Sequence, residues 1–149
     1  MAKFSALKTL LQLAQTRTDD AAKRLGMLHA QGVHMETRLG VLQQYREDYR
    51  TRFQTQARQG LTAAGWRNYQ EFLERLDAAI LQQEDAVSST RERVAAGRIA
   101  WQSARRTYNS YETLTQRQIQ AELQRATKRE QKETDEHVNN IAARQDSVR

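Results

Sequence analysis

The chain contains no proline and no cysteine, and nowhere does it offer an unbroken apolar run of membrane-spanning length. Each absence removes a class of answer. Proline inside a helix costs about 3 kcal/mol, so a chain without it is free to build long uninterrupted helices. Without cysteine there are no disulfides and no thiolate metal sites, and a reducing compartment is compatible. Crossing a bilayer takes about 18 consecutive apolar residues, which are not available here. The opening residues Met-Ala-Lys-Phe-Ser-Ala-Leu-Lys scatter charge among apolar side chains and lack the continuous stretch of a signal peptide, so a cytoplasmic protein is expected. Glycine is scarce at six residues, and Gly26, Gly32 and Gly40 are strung out singly rather than gathered into a phosphate-binding loop.

Apolar material is limited as well. Hydrophobic residues make up 38% of the 149 and charged residues 28%, with a mean hydropathy of −0.89, too little for a thick globular core. A chain this polar orders itself by burying one narrow stripe along a long helix. Starting at Leu7 and stepping alternately by four and three residues reaches Leu7, Leu11, Ala14, Thr18, Ala21, Leu25, Leu28, Gly32, Met35, Leu39, Leu42, Arg46, Tyr49 and Phe53. Thr18, Gly32 and Arg46 alone break the apolar series. A 3.5-residue repeat held over this many turns is the seam of a left-handed coiled coil. The few aromatic residues fall in register with it, which argues against disorder.

A break follows at Gln59-Gly60-Leu61-Thr62-Ala63-Ala64-Gly65. Gly60 can end a helix in a left-handed conformation, and Thr62 can cap the next one. The second arm repeats the stripe through Trp66, Tyr69, Leu73, Leu76, Ile80, Gln83, Val87, Thr90, Val94, Gly97, Trp101, Ala104, Tyr108 and Tyr111. So short a link makes the helices antiparallel. The expected fold is therefore all-α: one coiled-coil domain over residues 1–149, two long helices zipped into an antiparallel hairpin. The first helix is expected over about 4–58, the turn over 59–65 and the second helix from about 66. Residue i then faces roughly residue 124 − i, Tyr45 opposite Ala79 and Tyr49 opposite Leu76. After Tyr111 the apolar register slips to Leu114, Ile119, Leu123 and Ala126. The overhang 118–149 lacks a partner segment of helix and is expected to be frayed when free and ordered when bound.

The net charge of +6 raises nucleic acid or an anionic membrane as partners. Acidic residues interleave almost everywhere, and only Arg91–Arg106 carries five arginines against Glu92. A solvated face or a contact with an acidic protein fits this better than a nucleic-acid site. Catalytic groups are nearly absent. His29 and His34 stand five apart, off the i, i+4 spacing of a metal pair, and His137 is isolated. Adjacent carboxylates such as Glu47-Asp48 have no concave scaffold to shift their pKa. Neither an enzyme, a cofactor, a metal nor a small-molecule substrate is expected.

The informative surplus is apolar. Near the turn, Val41, Tyr45, Phe72 and Ala79 flank seam positions, so that Leu42, Tyr45, Tyr49, Phe72, Leu76 and Ala79 gather on two neighbouring helices. A seam needs two positions per heptad, and the excess reads as a protein-binding patch. A wider seam or a self-association face is the plainer alternative.

These residues resemble the FliJ family of flagellar type III export proteins. The likeness runs through Ala6-Leu7-x-Thr9-Leu10, Asp19-Asp20-Ala21-Ala22-x-x-Leu25-Gly26, Tyr45-x-x-x-Tyr49-Arg50, Gly60, Trp66-x-Asn68-Tyr69-Gln70-x-Phe72, Trp101 and Gln131-Lys132-x-x-Asp135-Glu136. The Trp-x-Asn-Tyr-Gln-x-Phe run is the specific part, because heptad packing does not dictate Asn68 or Gln70. The resemblance implies a fold similar to the coiled coil of the ATP synthase γ subunit. It implies a monomer, associated peripherally with the export apparatus at the inner membrane, that couples the hexameric export ATPase to the export gate and handles export chaperones. The gate contact, to the cytoplasmic domain of FlhA, would use Leu42, Tyr45, Tyr49, Phe72, Leu76 and Ala79, with Arg38 and Gln83 at the family's polar positions. The ATPase-facing end would use Asp19, Asp20, Arg117, Asp135 and Glu136. A self-associating structural coiled coil and a basic nucleic-acid-binding rod are the alternatives.

Overall fold

A computed structural model describes residues 2–148. Two helices account for nearly all of it, α1 over Ala2–Arg58 and α2 over Ala63–Ser147, packed antiparallel as a coiled-coil hairpin, with no strand among the described residues. The link is tighter than the sequence suggests. Gly60 takes φ +99°, a conformation that favours glycine, and its N–H bonds the Ala57 carbonyl at 3.3 Å to close the last turn of α1. Thr62 caps α2: its Oγ1 accepts from the Gly65 N–H at 3.1 Å, and its carbonyl accepts from Trp66 at 3.0 Å. Helix therefore resumes at Ala63 instead of Trp66, since Ala63 and Ala64 are strong helix formers once the cap is in place.

Burial follows the four-three stripe. Along α1 the shielded residues are the fourteen stripe positions from Leu7 to Phe53 together with Phe4. A two-helix seam is thin. Its deepest apolar side chains are Ala14, Leu76 and Val87 at 4%, 6% and 5% exposure, and no large side chain among the described residues is fully enclosed. Seam threonines solve their own polar problem. Thr18, Thr90 and Thr115 each donate to the carbonyl four residues back at 2.8 Å, which turns a methyl toward the partner helix.

By contacts the chain divides into the unit Asp19–Ser103 and a second unit made of the chain on either side of it. Within Asp19–Ser103, Gln83 Nε2 donates to the Met35 carbonyl at 2.9 Å, Arg46 pairs with Asp77 at 2.6 Å and Arg91 with Glu36 at 3.1 Å. Gly97 sits under Leu25 and Leu28: a Cβ there would lie 2.9 Å from Leu28 Cδ1 and 3.5 Å from Leu25 Cδ1. The helices come this close because that side chain is missing.

In the other unit shielding after Tyr111 follows both registers, with Ile119 and Ala126 of the slipped apolar series half-buried. Thr115 is buried and Gln118 and Glu122 are half-shielded, continuing the four-three step, whereas Leu114 and Leu123 are exposed. The four-three step thus persists in packing even where its residues are polar. Phe4 lines a groove with Ile119, Glu122, Leu123 and Ala126. Past Ala126 α2 continues as helix to Ser147 with every described residue exposed.

Candidate protein-interaction site

The six residues of the aromatic patch all fall within Asp19–Ser103, three on each helix. They are not equivalent. Leu76 is buried and belongs to the seam. Leu42, Tyr49, Phe72 and Ala79 are half-buried. Tyr45 is 49% exposed, with its ring edge-on to Phe72 at a centroid distance of 6.0 Å. Tyr49 lies 4.3 Å from Phe72 and stacks on Tyr69 at 5.4 Å. Tyr69 in turn stacks on Phe53, which leans on Trp66 at 5.3 Å.

The patch is thus the open end of a ladder of rings that runs back to the turn. Tyr45 is exposed and Phe72 half-buried at this end, with Tyr49 against Phe72 and the Tyr69–Phe53 stack behind Tyr49. Aromatic pairs of this kind contribute about 0.5–1.5 kcal/mol beyond their buried area, so the outer rings are pre-positioned. An exposed tyrosine braced by a half-buried phenylalanine on a polar protein is chemically suited to fill an apolar recess on another protein.

The ring contacts lie close to the turn: Tyr45 meets Phe72, and Tyr49 meets Phe72 and Tyr69. The reversal is centred between Gly60 and Leu61 instead of on Thr62, and the ring pairs beside it lie nearer the turn than the facing rule gives, whereas Glu36–Arg91 farther along does not. Trp66, expected in the seam, is 48% exposed: α1 ends at Arg58 and leaves little beyond Phe53 to cover it.

Polar neighbours frame the patch. Arg46, at a seam position, turns outward to Asp77, and that hydrogen bond is the chief cause of its guanidinium being held above its usual pKa. Arg38 is exposed and Gln83 is buried against Met35, so of these two Arg38 alone is open to a partner. The charged set is spread more widely. Asp19 and Asp20 lie on α1 in the unit Asp19–Ser103, whereas Arg117, Asp135 and Glu136 lie on α2 in the other unit, and all five are exposed. Among the described residues no cluster of His, Asp and Glu is gathered that could hold a metal ion, and no helix is long and apolar enough to cross a membrane.

Comparison with known proteins gives the family. The family model described as "Flagellar FliJ protein" matches residues 3–147. The chain is 31% identical over 144 residues to the flagellar FliJ protein of Salmonella typhi, covering 97% of this chain and 98% of that one, and equally to the flagellar FliJ protein of Escherichia coli K12. A match of this extent, on the fold that the heptads call for, means that the chain belongs to the flagellar FliJ family.

Proposed function

We propose that this protein works in the flagellar export apparatus as a non-catalytic coupling component, with two separate binding surfaces. The patch of Leu42, Tyr45, Tyr49, Phe72 and Ala79, seated on Leu76, binds the cytoplasmic domain of the export gate protein FlhA. The unit formed by the two ends of the chain engages the hexameric export ATPase, through Arg117, Asp135, Glu136 and the exposed end of α2, as the γ-subunit coiled coil does in ATP synthase. Asp19 and Asp20 join that contact from α1. Export chaperones are further partners, and the protein works in the cytoplasm at the inner membrane.

The observation that carries this reading is Tyr45: a tyrosine half exposed and braced edge-on against Phe72, while Tyr49, Tyr69 and Phe53 behind it are half-buried. A residue that served only the seam would gain nothing from that exposure. Each contact has to be modest, since a permanent clamp at both surfaces would block cycling. The test pairs circular dichroism with a pull-down of the FlhA domain. Tyr45→Ala and Phe72→Ala are expected to weaken capture on the order of tenfold with helicity unchanged. Loss of helical signal together with capture would make both residues part of the seam and remove the site.

A further inference from the structure

Within Asp19–Ser103 the two sides of the seam are chemically unlike. One side carries the ion pair Arg91–Glu36, beside a small groove lined by His29, Gly32, Glu36 and Val94. The other side carries Tyr45 and Phe72 and, further along the same heptad rows, Arg38 and Arg24 on α1 with Ala79, Ala86, Arg93 and Ala100 on α2. No acidic residue occupies those rows.

On this second side lies the larger groove, about 710 Å³, with a floor of Ala21, Leu28, Ala96, Gly97 and Ala100. Its existence follows from the close packing at Gly97, where Leu25 and Leu28 fill the space a side chain would take and leave the surface above it low. Arg24 and Arg93 rise on either rim, both exposed, and neither enters an ion pair among the described residues. Asp20 is the one acidic residue in the lining.

We propose that this groove is a docking site for an acidic amphipathic helix of another protein, a surface additional to the aromatic patch and independent of it. A groove between two helices accepts the ridge of a third, and small residues on its floor allow axes to approach to about 8–10 Å. The partner supplies an apolar stripe for Ala21, Ala96 and Ala100, and Asp or Glu at positions that reach Arg24 and Arg93, whose guanidinium groups bind carboxylates in bidentate fashion. A second copy docking through this same face does not suit the site, because it would bring the same arginines against these. Nucleic acid suits it poorly: the floor is apolar and holds no aromatic ring on which a base could stack.

The probe is a fluorescein-labelled helical peptide with leucine along one face and glutamate on the flanks, titrated against the full chain and followed by anisotropy. Binding is expected, weakening with added salt and falling at least tenfold in the double variant Arg24→Glu/Arg93→Glu. The gentler Arg24→Gln/Arg93→Gln is expected to show an intermediate loss, and Phe72→Ala to bind the peptide as the parent does, so that failure of the gate assignment and failure of this one are told apart. Circular dichroism on each variant confirms that the hairpin is intact. The proposal is overturned if a scrambled peptide of equal charge binds as well, if the arginine variants bind unchanged, or if a single-stranded oligonucleotide displaces the peptide. It is equally overturned if sedimentation shows a dimer that the same arginine variants abolish.

Discussion

Gln83 reaches across the seam and donates a hydrogen bond to the Met35 main-chain carbonyl at 2.9 Å, with the Met35 sulfur 3.5 Å away. A buried amide at a seam position gives up some apolar packing in exchange for a fixed pairing of the two helices. Losing that acceptor would leave a buried amide unpaired, at about 1–3 kcal/mol.

Replacing Gln83 should therefore separate stability from specificity. Gln83→Leu is expected to raise the melting temperature, as burying an apolar side chain of that size contributes about 1.5–3 kcal/mol when complete. It should also admit alternative pairings, seen as dimers or mixed species by sedimentation. A variant with a higher melting point and a single monomeric species would show that Gln83 does not set the register.

The glycines should split into three behaviours. At Gly26 and Gly40 an added Cβ would meet nothing within 4 Å, so alanine at either should stabilise α1 by about 0.5–1 kcal/mol. Gly60→Ala should destabilise by about 1 kcal/mol, since its φ of +99° strains any residue with a Cβ. Gly97→Val should be the worst, by about 1–3 kcal/mol, through overpacking against Leu25 and Leu28. Thermal denaturation of the four variants checks the order. Glycine is thus a packing device at Gly97 within α2 and a turn device at Gly60 between the helices.

The Arg46–Asp77 pair has a defined pH behaviour. The folded state raises the Arg46 pKa, so whatever the pair contributes is fully present below the unfolded value and is lost only as the pH climbs past the folded one, in strongly alkaline solution. The melting-temperature gap between the parent and Arg46→Gln should stay constant from about pH 7 to 10 and shrink in high salt, because both side chains are partly exposed. A gap that changes across that pH range would assign the effect to another group.

The end of α2 buries nothing past Ala126. Truncation after Thr127 should leave the unfolding midpoint of the hairpin nearly unchanged while lowering total ellipticity, and should abolish capture of the export ATPase. An unfolding midpoint that drops sharply would reveal packing by this segment in solution.

Much of this was readable in the sequence. The alternation from Leu7 to Phe53 named the shielded face of α1 because each position either is apolar or, like Thr18, satisfies itself through its own helix. Gly60 and Thr62 announced the turn through backbone chemistry that few other residues perform. What escaped was whatever depends on the partner helix. Beyond Tyr111 the four-three step runs through Thr115, Gln118 and Glu122, polar positions that hydrophobicity does not mark, although it does mark the half-buried Ile119 and Ala126. The division of the aromatic cluster into a buried Leu76 and an exposed Tyr45 depends on the exact centre of the turn, and a shift of a residue or two there repositions every ring. The groove over Gly97 is legible only once Leu28 is seen to fill its place.

The central claim is that the two stripes bury each other within one molecule. Spin labels placed at Glu36 and Arg91, which face each other as an ion pair, test it when the labelled chain is diluted into an excess of unlabelled chain before refolding. The intramolecular hairpin predicts a short dipolar distance, within about 20 Å, that persists undiminished on dilution. A dipolar signal that disappears with dilution would mean that the helices pair between molecules, and would contradict the account.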